Sequence, residues 1–288
     1  MFLLITSVTD CRGNKIGGGE EKILNIHQVI LYFFVYSFLG WVYETIFVSL
    51  REREWSNRGF LMGPICPIYG VGAVAAVLIC SDISIPMTFL LCMLGSAVME
   101  YTTAYVLDKL FHASWWDYSN MPFNVNGYIC LPASLVFGAA GVLISKILHP
   151  IISVPMAYIP ETVQETAAFL LVAICASDLT LTVSSLSDFA VRIKEFESRV
   201  NNAISNKYDE LENTVSDKLA TVKRHTMITD KTRESIIERE IKKADLRLSR
   251  IQMNALQGIR RFKKEELYEG NLGKIHALLL KISSRRKK

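Results

Sequence analysis

The middle of this chain has almost no positive charge. Residues 27–186 contain only five Lys or Arg residues, at positions 51, 53, 58, 109 and 146. Residues 187–288 contain 24, against 15 Asp or Glu, which is a net charge of +9. Because the surface of a soluble domain carries charge throughout, this scarcity excludes an ordinary soluble fold for residues 27–186. The sequence therefore divides into an apolar region followed by a charged region.

Two kinds of motif are also missing. There is no GxxxxGK[ST] phosphate-binding loop, so the chain does not bind ATP in that way. There is no CxxC pair and no Cys/His spacing typical of a metal site, and most of the six Cys residues lie in or beside apolar runs, where Cys packs as a small apolar residue. We therefore predict no disulfide, no metal and no cofactor, and we assign no catalytic residue.

The apolar region contains runs long enough to cross a bilayer, which takes about 20 apolar residues. We predict an all-α integral membrane protein with about five transmembrane helices, followed by a soluble helical tail. The last predicted span is the weakest because it contains Glu165 and Asp178. The five predicted spans are residues 29–50, 60–80, 83–107, 127–148 and 163–186.

The distribution of Arg and Lys predicts how the chain is oriented in the cell membrane. The loop after the first span, "REREWSNRGF", has three Arg, the next loop has none, and the tail begins with several basic residues. Basic loops remain in the cytoplasm, so five spans place the N-terminus outside and the tail inside. The predicted domains are an N-terminal extension (1–26), a polytopic membrane domain (27–188) and a cytoplasmic tail (189–288).

The tail shows the heptad pattern of a coiled coil. Apolar residues recur in steps of three and four from 193 to 222 and again from 237 to 262. An antiparallel helical hairpin and a parallel dimer formed by self-association both fit this pattern. The C-terminal segment "IHALLLKISSRRKK" is amphipathic and basic, so it suits either an anionic lipid surface or a packed helix with a solvated end. Charges of both signs alternate along the helices without stacking aromatics, which argues against nucleic acid as a partner.

Apart from Glu165, which lies near the start of the last span, three acidic residues fall inside predicted spans, where an ionisable side chain is costly and is a functional candidate by default. Glu44 lies in the first span, Glu100 in the third and Asp178 in the fifth. Asp178 has Thr182 one turn away on the same helix face, so this pair also suits a simple contact between helices.

The two predicted cytoplasmic loops supply polar and aromatic residues that we expect to meet Glu44 and Glu100 at the membrane boundary. A Glu44–Arg58 pair that only holds helices together is one alternative, and Trp residues that only anchor the chain at the interface are another. Three carboxyls, those of Glu44, Glu100 and Asp117, would face essentially one Arg. This would leave an excess of negative charge, which favours a cation, a protonated carboxyl or a basic or hydroxyl-rich substrate. The loop candidates are Asn57, Arg58, Trp115, Trp116, Asp117, Tyr118, Asn124 and Asn126.

These same stretches carry a family resemblance. The motifs "FLGWVYE", "NRGFLMGPICPIYG", "MEY", "WWDYSNMPFNVNGYICL" and "SDLTLTV" resemble the CmpB-type ABC-transporter permease family, also called ABC-transporter type IV, over roughly residues 30–190. The family usually has Asn-Gly-Arg where this chain has Asn-Gly-Tyr, so Tyr128 replaces a basic residue. Besides the polar candidates above, the resemblance implies a structural role for Gly59, Gly63, Pro64, Pro67, Tyr69, Gly70 and Gly127.

Three functions remain open at this point. The resemblance implies a permease component, which then needs a separate ATPase subunit because the chain has no phosphate-binding loop of its own. Carboxylates, an Arg and amides at the lipid interface would also suit an enzyme acting on a lipid-type substrate at the cytoplasmic leaflet. A membrane scaffold or sensor that recruits partners through its tail is the third.

Overall fold

The computed structural model describes residues 4–5, 23–53, 59–111, 113–214, 235–241, 252, 259 and 261–262. The all-α membrane architecture is confirmed in this part of the chain. Four helical segments are long and apolar enough to cross a membrane, namely Ile26–Leu50, Ile85–Phe111, Leu131–Ala157 and Glu161–Phe189. Their outer faces expose large apolar side chains such as Val98 and Phe169, as expected for contact with lipid.

The helices follow one another through short connections. Helix α5 continues α4 through one π-helical turn, Ile144–Leu148, which lies just before Pro150. Proline has no N–H to donate to the preceding turn, and this explains the irregularity there. The bounds are α1 Ile26–Glu52, α2 Pro67–Cys80, α3 Ile85–Phe111, α4 Leu131–Leu143, α5 His149–Ala157 and α6 Glu161–Thr214.

The second predicted span differs from the sequence-based expectation. Residues 59–66 are not helical, and α2 begins only at Pro67, whose fixed φ suits the first turn of a helix. With 14 residues, α2 is about 21 Å long, shorter than the ~30 Å hydrocarbon layer. The two Pro and two Gly within residues 59–67 explain why the apolar run does not become one continuous helix.

The last helix, α6, runs without interruption for 54 residues. It contains no Gly and no Pro, so nothing in its sequence breaks it. At ~1.5 Å per residue it is roughly 80 Å long, well over twice the thickness of the hydrocarbon layer. The predicted boundary between membrane domain and tail, at residue 188, therefore falls within a continuous helix.

Two apolar clusters hold the described residues together. The first packs α1, α2, α5 and α6 against one another around Tyr32, Tyr36, Val77 and Met156. The second lies at the other end of the molecule and joins Phe111 and Trp115 to Phe196 and Val200 of α6 and to Ile237, which lies in a short helical segment at 235–241. The remaining apolar positions of the heptad pattern lie mostly outside the described residues, so the coiled coil stays a prediction.

The described residues also form three two-stranded ladders, all of them antiparallel. β1 (Leu4–Ile5) pairs with β2 (Ile23–Leu24), and β4 (Asn124–Val125) pairs with β5 (Ile129–Cys130). β3 (Ala113–Ser114) pairs with β6 (Arg261–Phe262). This last ladder connects the segment after α3 directly to the C-terminal region, which the sequence pattern does not indicate.

Candidate functional site

Glu44 lies on α1 beside the start of α2. Its Oε2 accepts a hydrogen bond from Cys66 Sγ at 3.9 Å, and the phenol of Tyr69 interacts with the same carboxyl. The Cys66 amide donates to the Ser37 carbonyl at 3.0 Å, so a main-chain contact with α1 fixes where α2 begins. The amino end of a helix carries a partial positive charge, which favours an acidic group at this place.

Glu100 lies on α3 and is only 5 % exposed. Its Oε1 accepts a hydrogen bond from the Tyr118 hydroxyl at 3.3 Å, whereas Oε2 is buried and has no hydrogen-bond partner among the described residues. Burial raises the pKa of Tyr118, and the adjacent Glu100 carboxyl raises it further. Tyr118 is therefore a neutral hydrogen-bond donor at physiological pH.

The two carboxyls form one group. Glu44 and Glu100 are close enough to interact electrostatically, and both carboxyls also act electrostatically on the Tyr118 hydroxyl. We call Glu44, Cys66, Tyr69, Glu100 and Tyr118 the carboxyl cluster. In the described part of the chain, no Lys or Arg forms an ion pair with either carboxyl. A buried acid with a second acid within electrostatic range is costly unless a proton or a cation compensates the charge, so this cluster is suited to binding positive charge.

Asp178 takes a different role from the two glutamates. Its Oδ2 accepts the Gly63 amide at 2.7 Å and its Oδ1 accepts the Met62 amide at 3.1 Å. Thr182 Oγ1 also donates to Oδ1, at 3.2 Å. Backbone away from water needs internal hydrogen-bond partners, and Asp178 supplies them to the non-helical segment before α2. The carboxyl thus holds that segment to α6.

The two tryptophans that were candidates for the site contribute to the frame around it. Trp115 is buried and lies edge-on to Phe60 and Phe111, with ring centroids 5.3 and 6.0 Å away. Trp116 Nε1 donates to the Tyr128 carbonyl at 2.9 Å. The Trp115–Phe60 contact holds the segment after α3 against the segment before α2, whereas the Trp116 hydrogen bond lies within the segment after α3.

Asp117 lies apart from the carboxyl cluster. Its side chain is exposed, and Oδ1 accepts hydrogen bonds from the Ser119 amide at 3.0 Å and from the Ser119 hydroxyl at 2.5 Å. The next residue, Tyr118, turns inward to Glu100. The structure thus brings Tyr118 to Glu100, and a role of Tyr118 or Asp117 in a functional site stays a prediction.

The stretch "NVNGY" forms a tight hairpin. Asn126 and Gly127 both have positive φ, 54° and 71°, as a tight turn of type I′ requires at its two central positions, and residues 126–128 join β4 to β5. Asn124 fastens the hairpin by donating to the Ser119 and Met121 carbonyls, and Asn126 Nδ2 donates to the Tyr101 hydroxyl at 3.1 Å. These asparagines therefore shape the loop that presents Tyr118.

The remaining motif residues sit at tight places in the backbone. A side chain at Gly70 would overlap Ser37 Oγ and the Phe33 carbonyl, so α1 and α2 approach closely there. Pro67 begins α2, and Pro64 is exposed in the segment before it. Gly59 lies among main-chain oxygens of the same segment. Asn57 and Arg58 lie outside the described residues.

Two polar residues, Asp108 and Lys146, make contacts that were not predicted from the sequence. Asp108 is buried, and the Tyr128 hydroxyl donates to its Oδ2 at 2.6 Å. Tyr128, which stands where the family usually has Arg, therefore has a defined hydrogen-bond partner. Lys146 Nζ donates to three carbonyls at the end of α2, those of Cys80, Ser81 and Ile83, at 2.7, 2.8 and 2.7 Å. Lys146 lies within the fourth predicted span and Asp108 directly after the third, but nothing in the local sequence indicates which distant groups they contact.

These features define a class: a multi-pass membrane protein in which a broken helix and buried acids meet near one end of the helices. A family model described as "Putative ABC-transporter type IV" matches residues 31–183, just over half of the chain. The chain belongs to this family, as the motifs predicted. Comparisons with curated proteins and with solved structures found no significant match.

Proposed function

We propose that this chain is the permease-like membrane component of an ABC-type transporter, and that the carboxyl cluster is the polar site on its transport path. The observation that carries the proposal is the buried Glu100 Oε2, which has no hydrogen-bond partner among the described residues and lies within electrostatic range of a second acid, Glu44. Such a pair has capacity for a proton, a cation, or a substrate with basic or hydroxyl groups.

The break before α2 supports this proposal. Transporters often build their binding sites from discontinuous helices, whose free ends and unwound backbone provide polar groups within the bilayer. Here the half-helix α2 starts beside Glu44, and Asp178 secures the unwound segment before it. The family membership points to the same class of activity.

The partners and the orientation belong to the same proposal. A separate ATPase subunit supplies the energy because this sequence has no phosphate-binding loop. The basic loop after α1 and the basic tail place the carboxyl cluster near the cytoplasmic boundary and the N-terminus outside. As part of this proposal, Arg58 of the cytoplasmic loop is the expected counter-charge for an acid of the cluster.

The test is purification of the intact protein from native membranes in mild detergent, with mass spectrometry of what remains bound. We expect a stoichiometric ATP-binding protein, and ATP hydrolysis or transport that is lost in Glu44→Gln and Glu100→Gln. Glu195→Gln, an exposed acid on α6, is the matched control and keeps full activity. Absence of any ATPase, or unchanged transport in both cluster variants, would contradict the proposal.

One observation also favours an enzyme on a lipid-type substrate. A free carboxyl oxygen on Glu100 beside the neutral phenol of Tyr118 is an arrangement suited to proton transfer. A preparation that retains a lipid, lacks an ATPase and turns over that lipid would support this second candidate. Loss of turnover in Glu100→Gln with normal folding would then assign the acid a catalytic role.

A further inference from the structure

A second group of polar side chains lies at the opposite end of the helices from the carboxyl cluster. It joins the start of α1 to the start of α6 and consists of His27, Glu161 and Glu165. One potential ligand atom from each residue lies within 4.8 Å of the others. Glu161 and Glu165 are four residues apart on one helix and so lie on the same face.

His27 is the unusual member of this group. It is only 8 % exposed, and its Nε2 has no hydrogen-bond partner among the described residues although it is buried. A buried ring nitrogen normally has a partner, so an unsatisfied one that faces two carboxylates needs an explanation. Both glutamates are exposed, so water and ions reach them freely.

The distances suit an ion better than direct contact. His27 Nε2, the ring nitrogen without a partner among the described residues, lies 3.9 Å from Glu161 Oε1. Glu165 Oε1 lies 3.9 Å from the other ring nitrogen, Nδ1, so only one of these two distances joins atoms that bind the same ion. Glu165 belongs to the group because one ligand atom of each residue lies within 4.8 Å of the others. Hydrogen bonds between such groups are about 2.7–2.9 Å long. Two ligand atoms each about 2.1 Å from a shared ion are separated by roughly 3.4–4 Å, depending on the angle at the metal.

A neighbouring residue holds one carboxylate in place. Asn25 Nδ2 donates to Glu161 Oε1 at 3.0 Å. Metal ligands are commonly oriented by such outer hydrogen bonds, and their loss weakens metal binding. The arrangement therefore has a buried imidazole nitrogen, two accessible carboxylates and an orienting amide.

We propose that His27, Glu161 and Glu165 bind a first-row divalent metal ion such as Zn²⁺ or Mn²⁺. One imidazole with two carboxylates is a donor set that these ions accept, with water completing the coordination. The ion bridges the amino ends of the first and last membrane helices. This site is independent of the carboxyl cluster and of the transport proposal.

The test uses the full-length protein purified in detergent with a tag that contains no histidine, stripped with a chelator and then titrated with Zn²⁺ or Mn²⁺. We expect one equivalent of metal to bind and to raise the unfolding temperature. The double variant Glu161→Gln/Glu165→Gln changes only exposed side chains, so it folds, and we expect its affinity to fall at least about 100-fold. Asn25→Ala should lower the affinity by about 10-fold.

His27→Asn should also abolish metal binding. Absorption spectra of bound Co²⁺, recorded for each variant, report which residues coordinate the metal. Glu195→Gln, on the same helix but far from the group, serves as the control and binds as the wild type does. Failure of the wild-type chain to bind either ion would overturn the proposal. Equal affinity in the double glutamine variant would overturn it as well, because the metal would then be bound elsewhere.

Discussion

Replacing Asp178 by Ala should destabilise the segment before α2 more than any other single change in its hydrogen bonding. The Asp178 carboxyl accepts two main-chain amides of that segment, those of Met62 and Gly63, in addition to the Thr182 hydroxyl. Ala at this position removes all three acceptor contacts. The two amides then lose their carboxylate partner within the membrane domain, where replacement by water is restricted.

The expected magnitude follows from these contacts. A hydrogen bond to a charged group contributes about 1.5–3 kcal/mol, so two of them contribute about 3–6 kcal/mol. Asp178 is only partly buried, so some water replaces the lost contacts, and Ala is a better helix former than Asp by about 0.5 kcal/mol. We therefore expect the free energy of unfolding to fall by about 3 kcal/mol. Asp178→Asn keeps one side-chain acceptor oxygen and should lose about half as much.

The assay is unfolding of the purified protein in mixed micelles, combined with hydrogen exchange of the amides at residues 62 and 63. Exchange at those two amides should accelerate in Asp178→Ala, while exchange along α3 stays unchanged. Ser177→Ala is the matched control, because the exposed Ser177 hydroxyl bonds only to the Ala173 carbonyl of its own helix in the described contacts. It should change stability by less than about 0.5 kcal/mol.

Two outcomes would refute this reasoning. If Asp178→Ala is as stable as Ser177→Ala, the carboxyl does not hold the segment. If stability falls but the amides at 62 and 63 keep their protection, the loss arises elsewhere in α6. Either result would return Asp178 to the list of transport-site candidates.

Further predictions concern the packing of α2. Gly70→Ala places a Cβ against Ser37 Oγ and the Phe33 carbonyl, so we expect a loss of about 2 kcal/mol in stability or failure to fold. Gly95→Ala is the control, because a Cβ there meets nothing within 4 Å, and it should be neutral or slightly stabilising in the same unfolding assay. Lys146→Met removes the donor to three carbonyls at the end of α2 and should lower the free energy of unfolding by about 2 kcal/mol. Unchanged stability in the Lys146 variant would mean that water replaces the lysine there.

Local features of the chain were predictable from the sequence. Apolar runs near 20 residues long become helices in lipid because the backbone must satisfy its own hydrogen bonds. The absence of Gly and Pro makes α6 continuous. The Asn126-Gly127 pair has the conformation that a tight hairpin needs, and both residues show the required positive φ.

The break before α2 was only partly predictable. The sequence shows that residues 59–67 are rich in Pro and Gly, but hydropathy alone continues the apolar run through them. The helix begins at Pro67 because the Cys66 amide bonds to the Ser37 carbonyl and the preceding amides bond to Asp178. These partners come from other helices, so their effect is visible only after folding.

The sequence by itself thus determined most of the membrane helices, the hairpin turn and the presence of acidic residues within the helices, because each depends on neighbours within a few positions. Tertiary structure decided what those acids contact. Gly63 and Asp178, which are hydrogen-bonded, are 115 residues apart along the chain, and the hydrogen-bonded pair Asn25 and Glu161 is 136 residues apart. Chain spacing carries no information on such pairs, since they form only when packing of the apolar helix faces brings distant segments together.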